Sequence, residues 1–146
     1  MYKIFPFLGL AAFGLVIAST IGSVSAHQKL STAGDVGVMI HLDPNDLPYP
    51  KKPTKTWFML MRRNGNMISP SNCNCSVAAY DSRNRAIVGN LPLSTIPIEG
   101  HQKGHEAIST TITFPKAGAY TVVLAGQSKD KSFAPFELKF PVTVRP

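Results

Sequence analysis

Acid is what this chain has least of. Only eight of its 146 residues are Asp or Glu, and no two stand at a spacing that suggests paired acid/base work. The sequence has no Gly-x-Ser-x-Gly elbow, no phosphate-binding glycine loop and no His-Glu-x-x-His. These absences leave no catalytic constellation, and the chain reads as a non-enzyme. Cysteine is scarce too, at two residues, and tryptophan occurs once. The basic residues bring the formal charge to +7, but they are scattered. Lys51, Lys52 and Lys55 share one loop; Arg62 and Arg63, Arg83 and Arg85, and Lys129 and Lys131 form separate pairs. No run of five basic residues occurs and aromatics are not interleaved with them, so nucleic acid is not an expected partner.

Only one long apolar run exists, and it lies at the start. Lys3 precedes an apolar stretch from Ile4 to about Ala18, and a small-residue stretch ends Val24-Ser25-Ala26. That is the layout of a secretory signal peptide with an A-x-A-like site. Cleavage is expected after Ala26, which leaves a single domain over 27–146 that begins with His27. No cysteine follows the run to accept a lipid. Left uncleaved, the same segment is just long enough to anchor in a membrane, which is the only membrane contact expected. The product is expected to be periplasmic or secreted.

Helical periodicity is almost missing after residue 26, whereas strand patterns are frequent. Asp35–Leu42 alternates and stops at Asp43-Pro44-Asn45-Asp46. Thr56–Met61 is a second strand, with Asn64-Gly65-Asn66 as a hairpin turn. Cys73–Tyr80, Ile108–Phe114, Ala119–Ala125 and Phe133–Val144 follow, with turns at Asp81–Asn84 and Pro115–Gly118. The Pro-rich stretch 47–53 cannot lie inside a sheet. Residues 86–100 read as an irregular, partly buried crossover and 126–132 as a polar loop. About seven short strands separated by turns predict an all-β, antiparallel, immunoglobulin-like sandwich after an N-terminal signal helix.

The candidate ligands fall in four places. His27, once N-terminal, offers its amine and ring Nδ1 as one chelate suited to Cu(II). His101 and His105, flanked by Glu99 and Glu106 among glycines, form the densest ligand cluster. Two imidazoles and a carboxylate there suit copper, zinc or nickel, and with His27 they would complete a site. Cys73 and Cys75 share one strand face with Cα atoms expected about 6.6–6.8 Å apart. They are open to three readings: a disulfide, which needs a local bend; packed thiols; or a soft-metal or redox-exchange pair. Met39, Met59 and Met61 lie in strands and are expected to pack the core. His41, on the face of Gly37 and Met39, reads as a structural histidine at a strand end.

A leader ending in Ala26-His27, the segment Phe114-Pro-Lys-Ala-Gly-Ala-Tyr-Thr-Val-Val-Leu124 and the closing Phe-rich strand resemble the periplasmic CopC/YtkA-like immunoglobulin-type domains. The resemblance covers most of 27–146 as architecture and a few positions as motif. It implies a copper-carrying role in which only His27 maps onto the family's ligands; the late Asp-x-His motif and the methionine-rich Cu(I) loop are absent. The expected function is therefore a metal-handling accessory protein with copper as cofactor, using His27, His101 and His105, with Cys73 and Cys75 as a second site. The alternative is a metal-free domain that docks on another exported or membrane protein through the Trp57 strand, the Pro-rich 47–53 loop and the basic residues 51–55.

Overall fold

The computed structural model describes residues 29–99 and 104–146. The expected leader, His27 and His101 lie outside them. The described chain forms β1 (Lys29–Ala33), β2 (Val36–Leu42), β3 (Pro53–Arg62), β4 (Cys73–Asp81), β5 (Ala86–Val88), β6 (Ser94–Pro97), β7 (Glu106–Thr113), β8 (Gly118–Ser128) and β9 (Phe136–Val144). The five-stranded sheet runs β1-β2-β3-β7-β6 and the four-stranded sheet β5-β4-β8-β9. Every named strand pair is antiparallel. The expected β-sandwich is thus what forms, with nine strands where the pattern suggests about seven.

The period of two builds it. In β9, Phe136, Leu138, Phe140, Val142 and Val144 are buried while Glu137, Lys139, Pro141 and Thr143 are exposed. In β2, Val36, Val38, Ile40 and Leu42 turn inward, and Phe58 and Leu60 do so in β3. The two sheets meet where Phe58 and Phe140 stack with ring centroids 6.0 Å apart. Phe114 packs on Tyr120 at 5.0 Å, and the Tyr120 hydroxyl donates to the Lys116 carbonyl, so its polar end is satisfied although the residue is buried. The expected turns are present: Arg62 N–H donates to the Asn66 carbonyl across Gly65, whose φ is +87°.

Three expectations need correction. The stretch 86–100 is no structureless crossover, since it contains β5 and β6, two short edge strands of three and four residues. β1 carries no apolar alternation because it is a largely exposed edge strand, held by its ladder to β2. The methionines pack the core only in part: Met59 is buried, whereas Met39 and Met61 are part-buried and none of the three joins the main core cluster. Met39 is paired with Met59, and His41 with Trp57, on the parity opposite to the inward residues of β2 and β3. A strand that turns Val38, Ile40 and Leu42 inward must turn Met39 and His41 outward.

β1 also bridges to the second sheet. Lys29 Nζ donates to the Pro141 carbonyl of β9 at 2.6 Å, and a cleft of about 210 Å³ opens there among Ile40, Leu42, Leu47 and Val142. Truncating Phe58 to Ala removes the ring that joins the sheets; the expected loss is about 3–5 kcal/mol, read as a fall in the urea midpoint.

Candidate functional site

The side chains capable of chemistry collect at the end of β2. Asp46, at φ +58°, closes the turn after Leu42: its N–H donates to the Leu42 carbonyl at 2.7 Å, and its Oδ1 accepts from Leu42 N–H at 2.8 Å. The same carboxylate oxygen lies 3.0 Å from His41 Nδ1. Asp43 Oδ1 lies 3.1 Å from His41 Nε2. The imidazole is tilted against Trp57, centroid to centroid 5.0 Å. His41 thus stands between a half-exposed carboxylate and a better-shielded one, with an indole against its ring. The sequence marks His41 and Asp46 only as a strand end and a turn; the convergence comes from the positive φ at Asn45 and Asp46, which bends the turn back on the ring. Because the two carboxylates approach opposite ring nitrogens, no three His, Cys, Asp or Glu side chains among the described residues gather to hold one metal ion.

His105 is placed elsewhere. Its carbonyl accepts from Ile98 N–H at 3.0 Å at the start of β7, and exposed Glu106 pairs with Pro97. Lys29, Ile40, Phe58 and Ile108 form one cross-strand row. Lys29 is therefore three strand spacings from β7, and His105 is three residues back along it, a separation of roughly 17 Å. By contrast Lys29 is paired with the residue next to His41. The described geometry brings the chain leaving Lys29 to the His41 end rather than to the 99–106 loop.

Cys73 and Cys75 are joined as a disulfide with Cα atoms 5.3 Å apart, closer than an ordinary strand sets i and i+2. In that form the sulfurs are not thiolate ligands, which removes the dithiolate reading for the oxidised chain. Opposite them β8 has Gly126. A Cβ there would stand 2.7 Å from Cys73 Sγ and 2.8 Å from Cys75 Sγ, so the disulfide occupies the volume of the missing side chain. The neighbouring loop is rigidly tied: Asp130 accepts from Ser128, from Asn72 and from Ser132 N–H. The Ser128 and Ser132 hydrogen bonds, with that from Asn72, hold the Asp130 carboxyl far below the usual carboxylate range.

The outer face of the five-stranded sheet carries a different set. Met39, Met59 and Met61 share it with Trp57, Leu30 and Ala107, and Met67 is bridged to Met61. Gly37 faces Met61, whose Cγ would lie 3.4 Å from a Cβ added there. The side chain of Met61 thus lies over the β2 backbone.

The class that these strands define is an antiparallel, immunoglobulin-like β-sandwich. Among solved structures, the chain is similar to a DUF4426 family protein from Pseudomonas aeruginosa, with a TM-score of 0.56 and 11% identity over 82% of this chain and 98% of that one. It is also similar to FetP of a uropathogenic Escherichia coli strain, recombinantly expressed in the periplasm, with a TM-score of 0.55 and 11% identity over 81% and 93% of the two chains. A copper-bound single-substitution variant of FetP matches with a TM-score of 0.54 and 11% identity over 80% and 94%. At such identity the likeness establishes the fold alone. No family model matches the chain, and no curated protein matches it in sequence.

Two outcomes follow from this geometry. Gly126→Ala is expected to prevent the disulfide from seating, so intact mass after oxidative refolding shows a mixture of thiol and disulfide forms where the parent shows only disulfide. A depressed Asp130 stabilises the fold above the ordinary carboxylate range and loses that contribution as pH falls below about 4 toward its folded value. The urea midpoint of Asp130→Asn is therefore expected to lie below the parent's at pH 7 and to approach it at pH 3.

Proposed function

We propose that the chain is an exported, non-catalytic β-sandwich protein that handles copper, taking Cu(II) at the end of β2 with His27 as an N-terminal chelate. The observation that carries this is the arrangement around His41. A neutral imidazole has one proton. Donated from Nε2 to Asp43 Oδ1 at 3.1 Å, it leaves the buried Nδ1 lone pair without a hydrogen-bond partner and facing an Asp46 oxygen 3.0 Å away. Two acceptors so placed need a proton or a metal cation between them. Ligands bound at about 2.0–2.1 Å stand about 3 Å from one another around a metal, so the pair fits one ion as neighbouring donors. Asp43 then serves as the carboxylate that orients a metal-binding histidine through its other nitrogen.

The N-terminal chelate supplies the remaining donors. Lys29 pairs with Ile40, beside His41, and two residues span at most about 7 Å. His27 is thus within reach of this end by chain length, which favours His41 and Asp46 over His101 and His105 as its co-ligands. The copper-bound state of the structurally similar FetP variant agrees in kind, and the leader, together with the periplasmic expression of FetP, supports export.

The test is electron paramagnetic resonance of one equivalent of Cu(II) on the protein exported by its own leader, after intact mass has established the first residue. A single tetragonal signal with nitrogen coupling is expected, lost in His41→Ala, weakened in Asp43→Asn, and lost when one Ala precedes His27. A parent protein beginning at His27 that takes up no Cu(II) would sink the proposal and leave the docking domain, whose exposed Leu47 and Tyr49 lie in the Pro-rich loop.

A further inference from the structure

We propose that the outer face of the five-stranded sheet is a soft-metal site, in which the thioethers of Met39, Met59 and Met61 take Cu(I) or Ag(I) beside Trp57. The inference rests on the copper-handling reading but uses ligands that the Cu(II) site does not.

The first observation is one of placement. The chain has five methionines; Met1 is the initiator, and the other four lie together on one sheet face, through the pairs Met39↔Met59 and Met61↔Met67. Directly paired residues have Cβ atoms about 4.5–5.5 Å apart and diagonal neighbours about 7–8 Å. A sulfur two bonds beyond each Cβ covers the remaining distance to a common centre. Gly37, the partner of Met61, has no side chain of its own, and the side chains of Met61, Leu30 and Thr32 close over it. The face is reachable at Met39, Met61 and Trp57, which are each only part-buried, while Met59 lies buried beneath them.

The second observation is chemical. A sheet face that only needed covering would be served equally well by Val, Ile or Thr, which suit strands better than Met. The inner faces of this protein are built that way, from Val, Ile, Leu and Phe, with no methionine in the core cluster. Thioethers differ from those side chains in one property, a soft, polarizable donor selective for Cu(I) over harder ions. Three neutral thioethers add no charge that needs a counter-ion. Trp57 precedes Met59 by two residues on the same face and offers a ring toward which a monovalent cation is attracted. Binding transfers no electron: the metal arrives as Cu(I) and leaves its carrier ligands for sulfur. The disulfide lies on the inner side of the other sheet, with Cys73 in the core cluster, and takes no part.

Trp57 is the only tryptophan, so its fluorescence reports this face alone. The experiment is an Ag(I) titration of the exported protein with the disulfide verified intact by mass, followed by Trp57 emission and native mass spectrometry. One Ag(I) per chain with quenched emission is expected. The variant with Met39→Leu, Met59→Leu and Met61→Leu keeps volume nearly constant, and its urea midpoint checks folding. It should lose Ag(I) affinity by at least about tenfold, the scale on which a metal site responds to loss of even a supporting group. Its Cu(II) signal should be unchanged. Equal Ag(I) affinity in parent and triple variant, or no Ag(I) uptake by the parent, overturns the soft-metal site and marks the stripe as an apolar covering only. Failure of Cu(II) binding with Met-dependent Ag(I) uptake intact overturns the N-terminal Cu(II) site and leaves this inference standing.

Discussion

The contact between Phe58 and Phe140 sets the parity of everything around it. With Phe58 turned inward, Leu60, Thr56 and Thr54 turn inward as well and are buried. Trp57, Met59 and Met61 then have only the outer side available. The β2–β3 ladder carries the same choice across, so that Ile40 opposite Phe58 faces the core and Met39 and His41 face away. A slip of one residue in β3 would turn Phe58 and Leu60 to the outer face and Lys55, Met59 and Met61 toward the core. The hydrophobic cost of that exchange, some 1.5–3 kcal/mol for each large apolar side chain exposed, locks the register. The ligand-bearing face is therefore specified by the packing of the opposite one.

Much of this architecture was legible in the sequence, for a physical reason. A half-buried strand writes its burial in alternate letters, and β2, β7 and β9 do so plainly. β1, β5 and β6 write nothing comparable: they lie on sheet edges, expose most of their residues and are held by backbone hydrogen bonds, to which all side chains are nearly equivalent. Met39 and Met61, unlike the buried Met59, misled for a related reason. Being apolar, they suggest burial, yet in β3 the run Trp57-Phe58-Met59-Leu60-Met61 is apolar on both parities, and only the partner strand decides which parity faces in. His41 looked structural because its two carboxylates come from a turn whose left-handed residues no alternation pattern reveals. The disulfide was among the stated options, and the bend it needs appears as the shortened Cα spacing opposite Gly126.

The two ends of β2 and β3 divide hard from soft donors. At the His41 end, the groups are imidazole and carboxylate, positioned by a turn and a short hydrogen bond from Leu42 N–H. Along the remainder of the same face the donors are thioethers, positioned only by strand register. Trp57 lies at the boundary and touches the first set through its ring contact with His41. One face thus offers surroundings suited to either oxidation state of a single element, separated by no more than a strand's length.

The bond from Lys29 Nζ to the Pro141 carbonyl has a consequence for how the molecule comes into being. The two residues are 112 positions apart. A chain emerges from a ribosome or a translocation channel with its amino end leading, so β1 and β2 are in the open while β9 is still hidden. Until β9 arrives, the inward side chains of β2 lack Phe140, Val142 and Val144 of their core cluster, and the seam at the Lys29 edge stands open. Completion of this sandwich therefore waits on β9, which seals a strand made more than a hundred residues before it.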